Sequence, residues 1–239
     1  MQVKSLKETK WPKSRPDLTG EQKRIFSDWY QHWLSKAGMQ GQYSFIDRFG
    51  HEYATKTFKN GCKTLDIGAG NGAHLEYENL DAQEYTALEY SGELIGDLKM
   101  RYPKIKAVIG DCQKELDFLD NYFDRVLAIH VLEHLDNLPA TLRETHRTLR
   151  PDGKFSVVIP CEGGMLYSIG RKFSSERMFV KRYHQSYDWL IKYDHINTAK
   201  EVLSELKNLF SIDSTQYFPF LIPSVDMELV IGLTCTPRK

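Results

Sequence analysis

Three glycines at alternate positions, Gly68, Gly70 and Gly72, lie in the stretch TLDIGAGNGAHL (Thr64–Leu75). An apolar run precedes them and a helical pattern follows. A backbone that gives up this much side chain can turn tightly and let a ligand approach. Gly68, Gly70 and Ala73 fit G-x-G-x-x-[GA], and Glu89 lies near the spacing of a ribose-binding acid; together these are marks of a dinucleotide site. Asp66 points elsewhere. It sits two residues before Gly68, at the carboxyl end of the strand, where a pyrophosphate would meet a negative charge. A cationic ligand suits that acid, and S-adenosylmethionine (SAM) carries an ammonium and a sulfonium but no phosphate. The residues favour SAM over a dinucleotide, or over a tight turn with no ligand.

A second group is HVLEH, with His130, Glu133 and His134 spaced i, i+3, i+4. On a helix that spacing puts all three on one face. A histidine titrates near neutrality and can serve as a general base, so His130 and His134 are candidates, with His184 and His195 further along. Metal binding and a purely structural role are the alternatives. A third group is cationic: Arg171, Lys172, Arg177, Lys181 and Arg182, interleaved with Phe173, Phe179 and Tyr183. Arginine's planar fork binds phosphate or carboxylate through two oxygens. The competing reading is a solvated helix face.

These residues need a scaffold, and the pattern supplies one. Apolar strands at 63–67, 85–89, 105–109, 124–130 and 154–160 alternate with helical segments near 72–80, 92–101, 113–119 and 138–149. Alternation of this kind predicts a doubly wound α/β fold with helices on both faces of a mostly parallel sheet. LRPDGKF reads as helix end, turn and strand start. A last helix near 198–209 starts at NTAKE, where Asn197 or Thr198 can cap and Glu201 can close a capping box. IDSTQYFPF and MELVIGLTC then form a hairpin with a short link near Pro223, so the final strand is antiparallel. Two pieces fall outside the alternation. Residues 1–60 form a helical extension with one amphipathic helix near 20–37. The connection at about 161–196 is long enough to be a lid or binding segment.

Bulk properties narrow the class. The chain has 239 residues, 41% of them apolar, with 32 basic and 32 acidic residues. That suits one α/β domain with an extension, and no global field steers it to nucleic acid or an anionic surface. No apolar run approaches ~18 residues, so no membrane span is expected. The basic, polar N-terminus lacks the core of a secretory signal. Four scattered cysteines without a C-x-x-C pair fit reduced thiols in the cytoplasm.

LDIGAGNG, ALEYS, GDC, FDRVLAIHVLEHL and LRPDGKFSVVIP, in this order, resemble the motifs of class I SAM-dependent methyltransferases, especially a small-molecule group with VLEH after the fourth strand. The resemblance covers Gly61–Pro160 and, in topology, the final hairpin. It implies a seven-stranded sheet of order 3-2-1-4-5-7-6 with strand 7 antiparallel, and SAM as cofactor. It also implies roles. The backbone of Gly68, Ala69, Gly70 and Asn71 lies along the methionine part of SAM, and Asp66 balances its cationic end. Glu89 accepts the ribose hydroxyls and Tyr90 packs on the adenine. Asp111 and the Cys112 N–H meet the adenine edge, and Ile129 ends the fourth strand at the same rim. HVLEH also resembles the E-x-x-E-H metal motif of two methyltransferase branches, but His130 replaces the first glutamate, so no metal is expected. The sequence predicts methyl transfer, at oxygen, to a small anionic acceptor such as a phosphorylated or nucleotide-linked sugar. The bases are drawn from His130, His134 and His195; Arg171, Arg177, Lys181, Arg182 and Tyr183 are the acceptor contacts. A nucleic-acid methyltransferase and a catalytically silent SAM-binding scaffold are the alternatives.

Overall fold

The computed structural model describes residues 10–34 and 44–239. Seven strands form one sheet: β1 (Cys62–Ile67), β2 (Gln83–Glu89), β3 (Lys106–Ile109), β4 (Phe123–Ile129), β5 (Leu149–Pro160), β6 (Phe210–Phe218) and β7 (Val230–Pro237). Their order is β3-β2-β1-β4-β5-β7-β6. The first five are parallel, and β7 runs antiparallel between β5 and β6. This is the predicted topology.

Side chains alternate across the sheet because the strand period is two. Leu65, Ile67, Val126, Ala128 and Val157 face one way. They are covered by Leu138 and Leu142 of α4 (Leu138–Thr148) and by Val202 and Leu206 of α8 (Ala199–Leu209). Tyr85, Ala87 and Leu127 face the other way, under Ile95 and Leu98 of α3 (Gly92–Arg101). On the same side α2 (Ser44–Thr55) lays Phe49 and Tyr53 against Val158 and Val230. The N-terminal region therefore holds a second helix besides the predicted one. The predicted helix is α1 (Gly20–Leu34); its expected end, 35–37, lies outside the described residues. The connection after β5 folds into α5 (Met165–Phe173), α6 (Ser175–Tyr183) and α7 (Asp188–Asp194). Trp29 of α1 is buried there, its ring 5.3 Å from Phe179 and edge-on to it. Thus α1 and the long connection share a small core apart from the sheet.

Three local expectations differ. Residues 72–80 do not make an α-helix. Short 3₁₀ turns, Ala73–Tyr77 and Leu80–Ala82, stand there, and Glu78 between them is extended. Glu78 is drawn inward to Arg125, a buried cation in the middle of β4, at 2.8 Å. Residues 113–119 also lack a helix. Side chains of α4 satisfy that backbone instead: Glu144 accepts from the Leu116 N–H at 3.0 Å, and Arg147 donates to the Leu116 and Phe118 carbonyls. The β6–β7 link is longer than predicted, spanning residues 219–229 with a 3₁₀ turn at Val225–Met227.

Arg125 ties several layers together. It donates to both oxygens of Glu78, to the Ala54 carbonyl at the end of α2, and to Thr57 Oγ1. His74 closes the cluster, 2.7 Å from Glu78. Burial disfavours the Glu78 charge, but the bonds from His74 and Arg125 prevail and hold its pKa at about 2. Removing one partner of a buried ion pair strands the other charge, at a cost of about 3–5 kcal/mol. Arg125→Met should lose stability on that scale in urea unfolding, and adding Glu78→Leu should recover part of it. Equal loss in the single and double variants would refute the pairing.

Candidate functional site

The loop after β1 leaves the strand through Gly68 and Gly70, both at positive φ (68° and 55°). The Gly68 and Ala69 N–H groups donate to the Leu88 carbonyl at 2.8 and 3.1 Å, fixing the loop to the end of β2. A Cβ on Gly68 would stand 2.7 Å from Val131, just beyond β4. The glycine thus lets the first loop touch the fourth-strand rim.

Glu89 ends β2 beside this loop. One oxygen accepts from the Gly70 N–H and the other from the Ser91 N–H, each at 3.0 Å. Both oxygens are held at the rim with lone pairs remaining, so the group is an acceptor-only site suited to paired hydroxyls. Tyr90 is 76% exposed and Ile109 60%; both are apolar surfaces beside Glu89 that a flat ring could cover. Asp111 spends one oxygen on the Gln113 N–H, as a turn acid does, and Cys112 lies against Thr141. Burial pushes the Cys112 thiol up to about 12, so it is not a nucleophile.

Asp66 is buried beneath the loop and accepts from the Tyr85 hydroxyl at 2.8 Å. Burial raises its pKa to about 7, offset in part by the Tyr85 bond. The segment after the glycines is a 3₁₀ turn, not an α-helix. A pyrophosphate is ordinarily bound by the N–H groups and dipole of an α-helix N-terminus, and no α-helix starts after this loop to supply that dipole. The residues fit SAM and not a dinucleotide.

Across the rim lies a chain of imidazoles and carboxylates. β4 ends at Ile129, and His130 turns away at φ 54°. Only Leu132–His134 is helical, as a 3₁₀ turn, so HVLEH does not form one helical face. The three groups still converge: Glu133 Oε1 is 3.5 Å from His130 Nδ1 and 3.9 Å from His134 Nε2. Glu133 is buried, and its other oxygen has no hydrogen-bond partner. His134 Nδ1 is 2.9 Å from the Asp194 carbonyl and 3.1 Å from its carboxylate. His195 lies edge-on to His134 at 4.9 Å, and its Nδ1 is 3.0 Å from Glu162. Arg171 holds Glu162 at 2.9 Å while its own Nε is buried without a partner. His134, Asp194 and His195 could each turn one ligand atom to a common point, all within 4.8 Å of one another.

The remaining predicted acceptor contacts are on α6. Arg177 and Lys181 are exposed there. Arg182 and Tyr183 both bind Asp28 of α1, at 3.0 and 2.5 Å, and His184 caps the helix in the left-handed region.

Asn71 was expected for its backbone alone, and several other residues near the site escaped the sequence reading. Asn71 donates to the Leu34 carbonyl at 2.8 Å, joining the glycine loop to the end of α1. One turn earlier on α1, Tyr30 is pushed up to about 12, first by burial and then by the charges of Glu89 and Asp194. The residue is nevertheless 43% exposed, so it lies at the surface within electrostatic reach of both acids. Glu162, Asp194 and Arg15, which donates to Asp136 and the Tyr193 carbonyl, had no spacing signal. Arg125 did: a charge in the middle of FDRVLAI marks a buried pair.

Comparison with known proteins agrees with this geometry. Residues 65–157 match the family model described as "Methyltransferase domain". A curated relative from Mycobacterium ulcerans, "Probable phthiotriol/phenolphthiotriol dimycocerosates methyltransferase 2", is 32% identical over 46% of this chain and 45% of its own length. The chain spans less than half of that relative. Burkholderia thailandensis 1,6-didemethyltoxoflavin-N1-methyltransferase, solved with its substrate and S-adenosylhomocysteine, superposes with a TM-score of 0.59 at 18% identity, over 95% of this chain and 93% of that one. The [4+2]-cyclase SpnF superposes at 0.63 and 16% identity, over 94% and 98%. Residues 65–157 thus match a methyltransferase domain, and the chain has the fold of the solved structures it superposes on, a seven-stranded sheet of order β3-β2-β1-β4-β5-β7-β6.

His134 offers a pH test. Burial works against its charge, but the Asp194 carboxylate and Glu133 prevail and raise its pKa to about 9. A raised pKa stabilises the fold fully below the unfolded value of ~6.5, and that stability is lost as pH rises through the folded value. Stability should decline between pH 6.5 and 9, and His134→Gln should flatten the part of that slope due to this group. An unchanged slope in the variant would contradict the ion pair.

Proposed function

We propose that this chain moves the methyl group of SAM to an oxygen of a small acceptor, with His195 as general base. The observation that carries the reading is the bond between His195 Nδ1 and Glu162. A carboxylate only accepts, so this short bond calls for the proton on Nδ1 and leaves the lone pair on Nε2, which lies 3.9 Å from Asp194 Oδ2. Burial opposes the Glu162 charge, but His195 and Arg171 lower its pKa and keep it ionised. SAM supplies a methyl already activated by its sulfonium. The protein needs to align the acceptor and take one proton: Nε2 receives the hydroxyl proton as the methyl–oxygen bond forms and the methyl–sulfur bond breaks. His134, held as a cation by Asp194, is better suited to fixing the 194–195 turn than to accepting a proton.

In this reading Asp66, Gly68, Ala69, Gly70, Asn71, Glu89, Tyr90 and Ile129 line the SAM side. Tyr30 and the long connection cover the cleft from above, so α1 with residues 161–196 acts as a cap. An anionic group on the acceptor, as in a phosphorylated or nucleotide-linked sugar, would meet Arg171, whose Nε–H is unsatisfied. Arg182 and Tyr183 close the cap through Asp28. The [4+2]-cyclase favours a second reading, because a chain can keep this fold and perform other chemistry.

His195→Ala and Glu162→Gln should lower kcat by roughly 10²–10⁴ and by a smaller factor, respectively. SAM affinity by calorimetry should not change in either variant. Inorganic phosphate should compete with the acceptor and not with SAM. Full activity in His195→Ala would remove the base from this account; lack of competition by phosphate would remove the anionic acceptor.

A further inference from the structure

The methyl-transfer reading leaves one surface unexplained. Eight of the fifteen large apolar side chains exposed among the described residues fall in two segments, 165–180 and 220–227. On α5 they are Met165, Ile169 and Phe173, at i, i+4 and i+8, which line one side of a helix. In the β6–β7 link they include Phe220, Leu221 and Ile222.

These two segments are packed against each other. A Cβ on Gly164, at the start of α5, would stand 2.2 Å from the Val225 carbonyl oxygen, and one on Gly170 3.5 Å from Leu229. Glycine at the first position permits the contact. The link is also held in shape from within. Glu228 is fully buried, and its two oxygens accept from the Phe220 N–H at 2.9 Å and the Ile222 N–H at 2.5 Å. Leu221 between them takes φ 62°, a region bulky residues seldom occupy. A buried carboxylate and a left-handed leucine thus organise a loop whose tip is three outward apolar side chains.

The charge around this surface is mainly positive, with Glu176 in the first turn of α6 the one acid there outside an ion pair among the described residues. Lys172 lies on the same side of α5 as Met165. Arg177 and Lys181 are exposed on α6, the next helix, which packs on α5. The other acids near them are engaged: Glu162 by Arg171 and His195, and Asp226 by Lys200. Apolar side chains bordered by lysine and arginine are the pattern of a helix that lies in a membrane interface, where acyl chains take the former and anionic headgroups the latter.

We propose that α5 and the 219–224 loop dock this protein reversibly onto an anionic lipid surface. No helix among the described residues is long and apolar enough to cross a membrane, so the association is peripheral. Each element does a separate job. Phe220, Leu221, Ile222 and Phe173 enter the acyl boundary, and Lys172, Arg177 and Lys181 meet the headgroups. The inference is independent of the reaction, because it needs neither SAM nor an acceptor.

The test is co-sedimentation of the full chain with vesicles of phosphatidylcholine alone and with 30–40% phosphatidylglycerol, a range of about one anionic lipid in three. Wild type should bind the anionic vesicles at least about tenfold more than the neutral ones, and added salt should weaken that binding. Phe220→Ser/Leu221→Ser should lose most of it at every salt concentration, whereas Lys172→Glu/Lys181→Glu should lose the preference for the anionic lipid. Melting curves and SAM binding of all three proteins should match, which separates failure of docking from failure to fold. Wild type that stays in the supernatant with both vesicles overturns the proposal. So does a dimer in sedimentation velocity that the same loop substitutions dissociate, since the surface would then serve a second copy of the chain.

Discussion

Arg125 is the interaction on which the architecture of the site rests. It is a cation in the middle of the central strand, nearly inaccessible to water. An arginine there must find acceptors, because an unpaired buried charge is far costlier than a paired one. It finds them in three directions: Glu78 after the glycine loop, the Ala54 carbonyl at the end of α2, and Thr57. Each demand shapes something. Pulling Glu78 inward stops the segment after Gly72 from continuing as an α-helix. Holding Ala54 seats α2 on the sheet, which places Gly50 against Val158 and His130.

The first of these consequences reaches the choice of cofactor. A strand-loop-helix with alternating glycines would serve a pyrophosphate if the helix were present. Here the helix is replaced by a 3₁₀ turn, and Asp66 lies buried beneath the loop with a proton affinity near neutrality. What remains at the rim is an acceptor, Glu89, held by two N–H groups. Hydroxyls and cationic groups gain from that arrangement and phosphates do not.

Much of this was legible in the sequence, for identifiable reasons. Strand positions and sheet order follow from apolar runs and their alternation with helices, which are local signals. Asp66 and Glu89 sit at strand ends, where position along the chain fixes position in space. The departures have a common cause. Residues 72–80 and 113–119 carry helical patterns, yet distant side chains, Arg125 in one case and Glu144 with Arg147 in the other, satisfy or redirect their backbone. The long connection hid more. Arg171 and Arg182 read as free cations, but Glu162 and Asp28 pair with them, and pairing between residues 9 and 154 positions apart has no local signature. Tyr30 was invisible for the same reason: its place depends on how α1 lies over the cleft.

The account stands on the claim that the glycine loop and Glu89 form a SAM site that rejects dinucleotides. Calorimetric titration of the purified chain with S-adenosylhomocysteine and with NAD, under identical conditions, tests it most directly. The structure predicts one-to-one binding of S-adenosylhomocysteine and no heat from NAD, with the former weakened by roughly 1–3 kcal/mol in Glu89→Ala. Stoichiometric binding of NAD, with none of S-adenosylhomocysteine, would contradict it.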